Sequence, residues 1–174
     1  MAWYYHPAHK HCEGIRLTHQ PSPWVRDYGH FVMMPQSGTP FPAAAHRSSG
    51  FDELAMTPSH LAVRFRRYHA TMALMPTDRC AIMELVWDTD DTPLFTLLPF
   101  DFPTDVHLDA ARGILTGWTN AHGDGTRADF RIWFELRFDR AIDLSRTRLT
   151  KNDGSTQRAA PAATLDRASA WLFA

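Results

Sequence analysis

Arg131-Ile132-Trp133-Phe134-Glu135-Leu136-Arg137-Phe138-Asp139-Arg140 is the longest alternating stretch of the chain, with Ile132, Phe134, Leu136 and Phe138 on one face. A period of two belongs to a half-buried β-strand, because successive side chains point to opposite sides of a sheet. Upstream, Leu61-Ala62-Val63-Arg64-Phe65-Arg66-Arg67-Tyr68 alternates in the same way. Residues 71–76, 81–87, 94–100 and 113–118 read as further short strands, with Asp88-Thr89-Asp90-Asp91 as a turn and 120–125 as a loop. Phe31-Val32-Met33-Met34 is a short apolar strand closed by Pro35. Residues 36–50, rich in proline and serine, read as a long loop, and residues 1–12 as an irregular arm. Only residues 159–170 have helix-forming composition, and they fall where a connection is expected. Short strands without intervening helices predict an all-β, antiparallel sandwich or barrel, one domain over residues 1–174.

Composition narrows the function classes. Hydrophobic residues at 44% and charged residues at 21% exclude a disordered chain. Lys+Arg 18 against Asp+Glu 19 leaves a net charge of -1, which removes the electrostatic ground for binding nucleic acid or an anionic membrane. No apolar run reaches the roughly 18 residues of a membrane span. No secretory signal opens the sequence at Met1, so the chain as it stands reads as cytoplasmic. Cys12 and Cys80 are compatible with one bridge or with two reduced thiols. The 6 Trp sit mostly in polar or turn-like surroundings, where an indole suits either the apolar face of a sugar or half-buried packing.

Several constellations carry possible chemistry. His6, His9, His11 and Cys12 offer soft metal ligands, but Pro7 breaks the segment and no acidic ligand completes the set, so no metal site is expected. Asp88, Asp90 and Asp91 lack the glycine and distal glutamate of a calcium loop and read as solvated turn residues. Gly113, Gly117, Gly123 and Gly125 lack the strand–loop–helix context of a phosphate cradle, and no nucleophile elbow is present. Most distinctive is the stretch from Glu13 through Arg16, His19, Gln20 and Trp24 to Asp27. It gathers polar groups and an indole in turn-rich chain, as a hydroxyl-rich ligand requires. The same residues equally allow Trp24 to staple the loop to the core while Arg16 pairs with Asp27.

Gly14-Ile15-Arg16-Leu17-Thr18-His19-Gln20-Pro21-Ser22-Pro23-Trp24, Asp27-Tyr28-Gly29 and Met33-Met34-Pro35 together resemble the N-terminal domain of glycoside hydrolase family 92, the calcium-dependent exo-acting α-mannosidases. Residues 71–79, 98–101, 114–118 and 134–139 continue the resemblance in order, from about Gly14 to Leu172. The resemblance implies a galactose-mutarotase-like supersandwich that packs on a separate (α/α)6 catalytic barrel, with the active site between them. It places the general acid, the general base and much of the calcium site in the barrel. The inverting reaction needs two carboxyl groups spaced to admit a water.

The expectation is therefore an accessory domain, incomplete at both ends, with only a short arm before Glu13 and closing strands lacking after Ala174. It would contact an α-mannoside of the N-glycan type without itself hydrolysing it, and would hold no cofactor of its own, calcium belonging to the complete enzyme. Arg16, His19, Trp24 and Asp27 are the implied sugar contacts, and Trp118 a further one, against core packing after Gly117. The alternatives are a stand-alone carbohydrate-binding module and a cupin-like metal-binding protein.

Overall fold

The computed structural model describes residues 8, 10–16, 31–41, 44–99, 104–119, 127, 129–151, 156–158, 164–166 and 168–172. In chain order the strands are β1 (His11–Cys12), β2 (Phe31–Ser37), β3 (Ser49–Thr57), β4 (His60–Phe65), β5 (Ala70–Pro76), β6 (Ala81–Trp87) and β7 (Pro93–Pro99). They continue as β8 (Thr104–Asp109), β9 (Ile114–Thr119), β10 (Ile132–Arg137), β11 (Arg148–Lys151), β12 (Thr156–Arg158), β13 (Thr164–Asp166) and β14 (Ala168–Leu172). One helical turn, α1 (Ala44–Arg47), and a 3-10 turn at Arg66–Tyr68 complete the described elements. The all-β antiparallel class is as expected. Three sheets form, in the orders β1-β3-β4-β5-β6, β10-β9-β8-β13 and β12-β11-β14-β7-β2. No helix among the described residues is long and apolar enough to cross a membrane.

The chain divides into two compact units, Met1–Gly14 with Met34–Leu94, and Ile15–Met33 with Phe95–Ala174. In the first, β3 to β6 form an antiparallel meander whose alternation matches burial. Phe65 pairs with Ala70 and Val63 with Met72, and all four side chains are buried. Tyr68 packs beside them at 2% exposure and donates its hydroxyl to the Arg47 carbonyl at 2.8 Å. Trp87 donates its indole N–H to the Gln36 carbonyl at 2.8 Å.

Three expectations for this unit are corrected. Pro35 does not close β2, which runs on to Ser37; β2 ends the strand order of its sheet, a place where a missing backbone N–H is tolerated. The fully buried Gln36 side chain there caps Phe41, accepting from its N–H at 2.9 Å and donating to its carbonyl at 3.2 Å. The long loop over 36–50 holds α1 and the start of β3. The arm is not wholly irregular, because His11 and Cys12 pair with Gly50 and Ser49. The Asp88–Asp91 turn is as expected: the Asp91 N–H donates to Thr89 Oγ1 at 3.2 Å and Arg64 pairs with Asp88 at 3.0 Å. Cys12 and Cys80 are both free thiols.

In the second unit, β8, β9 and β10 form another antiparallel meander. Val106, Leu108 and Leu115 are at most 1% exposed and lie on one face. Phe134 lies opposite Gly117 and packs on Phe31 with ring centroids 4.9 Å apart. Gly117 is required there, since a Cβ would stand 2.2 Å from the Asp105 carbonyl oxygen and 2.7 Å from the Phe134 ring. Gly113 turns the chain between β8 and β9 with φ of 65°, the left-handed region that glycine enters freely. The helical composition of 159–170 is overridden: β13 pairs with β8, and β14 lies between β11 and β7. Sheet pairing outweighs the alanine preference for helix.

Candidate functional site

Strand alternation sorts the side chains of β8, β9 and β10 into two sets. The set opposite the buried face forms rows fixed by register: Asp105, Trp118 and Trp133 in one, His107, Thr116 and Glu135 in the next. These six residues line a groove of about 430 Å³, within the roughly 300–1,000 Å³ range of small-molecule sites. Trp133 is 69% exposed, a large apolar surface left in water. Trp118 is half-buried, with its ring centroid 6.5 Å from that of Trp133 and the planes inclined at 56°. The Arg131 guanidinium lies 4.1 Å from the Trp118 ring centroid, a cation–π contact that leaves Trp133 as the uncovered indole. Glu135 accepts from the Arg137 guanidinium. Asp105 Oδ1 is shielded from solvent and has no hydrogen-bond partner among the described residues. An unsatisfied, desolvated carboxylate oxygen is costly, so a donor that reaches it as the side chain turns toward the groove is bound favourably.

Of the five sequence-based site residues, His19, Trp24 and Asp27 lie outside the described residues. Arg16 is half-buried beside Ile15, whose backbone exchanges a pair of 2.8 Å hydrogen bonds with Met33. Trp118 is described, and core packing after Gly117 does not account for it, since the core side of β9 belongs to Leu115, Gly117 and Thr119. The structure brings Trp118 together with Asp105, His107, Thr116, Trp133 and Glu135, none of which was singled out in the sequence as a site residue. The signal was present: Val106 and Leu108 alternate with Asp105, His107 and Asp109, and Ile132 and Phe134 with Trp133 and Glu135. The registers that align the strands were not.

Among the described residues, no group of three or more His, Cys, Asp or Glu could hold a metal ion. His6 and His9 of the N-terminal cluster lie outside the described residues. Cys12, whose thiol donates to the Gly14 carbonyl at 3.4 Å, is pushed up in pKa chiefly by burial, the opposite of what a ready thiolate ligand needs.

Comparison with known proteins decides the family. The model of the glycosyl hydrolase family 92 N-terminal domain matches residues 1–173. The chain belongs to that family. Its fold is shared with the family GH92 inverting mannosidase BT2199 of Bacteroides thetaiotaomicron VPI-5482, at a TM-score of 0.83 and 23% identity over 99% of the chain. The GH92 glycosyl hydrolase ccman5 matches 97% of the chain at a TM-score of 0.69 and 14% identity. The chain spans only 23% and 24% of the lengths of these two proteins. No curated protein matches it. As a GH92 N-terminal domain, it corresponds to one part of a larger glycoside hydrolase architecture.

Proposed function

We propose that this GH92 N-terminal domain contributes sugar contacts to an α-mannosidase-type glycoside hydrolase whose acid and base reside in a separate (α/α)6 catalytic domain. The observation that carries this reading is the family match over residues 1–173, set beside a span of 23% of an inverting mannosidase. The substrate class is an α-mannoside of the N-glycan type. Arg16, His19, Trp24 and Asp27 are the residues assigned to sugar contact in the N-terminal block, with the arginine and aspartate as hydrogen-bonding partners of hydroxyls and Trp24 as an aromatic wall. Inversion requires a water between two carboxyl groups, and this reading assigns neither of them to the 174-residue chain. Calcium, in this reading, belongs with the catalytic domain.

The test is hydrolysis of a chromogenic α-mannoside by the chain alone and after addition of a GH92 (α/α)6 domain. Turnover only in the mixture, and lost on Arg16→Ala, is the expected result. Turnover by the isolated chain would contradict the division of labour.

A further inference from the structure

The outward face of β8–β10 supports a step beyond that reading. We infer that the groove lined by Asp105, His107, Thr116, Trp118, Trp133 and Glu135 is a pyranose-binding platform that functions within this chain alone.

Three observations converge on a sugar. Trp133, the second residue of β10, leaves its indole 69% exposed. A pyranose has a face of axial C–H groups that covers an indole, whereas a charged or fully polar ligand does not recover the apolar area. In the same row, two strand spacings or roughly 10 Å away, Asp105 carries an acceptor oxygen shielded from solvent and without a hydrogen-bond partner among the described residues. A neutral polyol is the ligand class that brings an apolar face and donors on its rim together. A free anion would meet the Asp105 carboxylate, while the guanidiniums at the groove are already engaged, Arg137 with Glu135 and Arg131 with Trp118. A flat aromatic ligand would leave the Asp105 oxygen unsatisfied.

The remaining groups fit the same assignment. Thr116 offers a hydroxyl and His107 an imidazole from the second row, each able to donate or accept toward ring hydroxyls. Trp118 stands between Asp105 and Trp133 in the row, and the Arg131 guanidinium against its ring makes that middle position a preset floor rather than a competing platform. All of these side chains stand on strands except Arg131, which directly precedes β10, so little ordering is needed on binding.

The platform differs from the sugar contacts proposed for the Gly14–Asp27 stretch, and its test is independent of them. The 174-residue chain is titrated calorimetrically with methyl α-D-mannopyranoside and methyl β-D-glucopyranoside. At least one is expected to bind saturably with a Kd of roughly 1–10 mM, as few contacts on an open groove allow. Trp133→Ala should weaken that binding roughly tenfold or more, as loss of an anchoring aromatic does. Trp133→Tyr should retain most of it, and Asp105→Asn should weaken it by a few-fold through loss of a charge-assisted acceptor. Val86→Ala, on the other meander, should leave it unchanged. Trp133 is exposed, so thermal unfolding of Trp133→Ala should match the parent chain and separate a binding loss from a folding loss. No saturable heat with either sugar, or equal binding by parent and Trp133→Ala, overturns the inference. So does concentration-dependent dimerisation abolished by Trp133→Ala, which would make the indole an interface between copies. A lack of sugar binding here would leave the hydrolase reading standing, since that rests on the family match and on reconstituted turnover.

Discussion

The two meanders, β3–β6 and β8–β10, are built by the same rule and differ in what they show to water. Each hides alternate side chains, with Val63, Phe65 and Met72 buried in the first and Val106, Leu108 and Leu115 in the second. The exposed large side chains of the first are Leu54, Met56, Met75, Ile82 and Val86, aliphatic or thioether, with Glu53 and Glu84 as its exposed carboxylates. Its charges are paired at the rim, Arg64 with Asp88 and Arg66 with Asp52. On the second, the outward side chains at the groove are two indoles, two carboxylates, an imidazole and a hydroxyl, of which His107, Trp133 and Glu135 are exposed and the rest half-buried. Alternation therefore fixes the fold in both, while the outward set differs in its aromatic content: two indoles stand among the polar groups of the second, and the exposed apolar side chains of the first are aliphatic or thioether. The aliphatic face of β6 also lies on the last strand in its sheet's order, an edge bearing one charged residue, Glu84.

The largest expected effects test the buried sides. Phe65→Ala should cost about 3–5 kcal/mol in denaturant unfolding, as deletion of a fully buried ring does. Trp133→Ala should stay within about 0.5 kcal/mol, because its ring is not part of the core. Equal costs would erase the distinction between the two faces. Strand glycines sharpen it further. Gly117→Ala meets the Asp105 carbonyl oxygen at 2.2 Å and should destabilise by about 3 kcal/mol, because backbone has to move. Gly50→Ala meets nothing nearer than 3.7 Å and should be within about 0.5 kcal/mol of the parent. Urea midpoints for the pair, at unchanged slope, decide the matter.

Much of this was legible in the sequence. The strands at 61–65 and 132–137 are visible because their side chains alternate, and those at 71–76 and 81–87 because turns bound short apolar runs. β3 begins at the end of a proline- and serine-rich run and goes on into residues 51–57, which carry no clear period, while residues 168–173 already read as the start of a further strand and β14 forms there. The site was legible only at Trp118. Its partners Asp105 and Trp133 come from residues 13 positions before and 15 after it, and only the registers Asp105 to Trp118 and Trp118 to Trp133 bring them into one row. A sequence displays the period of each strand but not the offset between strands.

Smaller effects follow from single groups. Tyr68→Phe should cost about 1–2 kcal/mol, since the Arg47 carbonyl loses its buried donor. Cys80, exposed, should react quickly with a thiol reagent near pH 8, whereas Cys12, half-buried and raised in pKa by burial, should react only slowly until the chain unfolds. Matched rates would show that the strand pair β1–β3 does not cover Cys12. The smallest effect is electrostatic. The Arg66 guanidinium holds the Asp52 carboxyl below the usual carboxylate range, so its contribution is full above about pH 4 and is lost as pH falls through the lowered native value. Arg66→Gln should remove that slight acid-side slope and, both groups being exposed, do little at neutral pH.

The measurement that bears most directly on the division between the two faces is a nitrogen–proton NMR titration of the intact chain with an oligomannoside. The account predicts saturable shifts of the Trp118 and Trp133 indole N–H signals and of the backbone of β8, β9 and β10, with β5 and β6 unmoved. Shifts confined to β5 and β6, or no shift in either indole at saturating sugar, would contradict it.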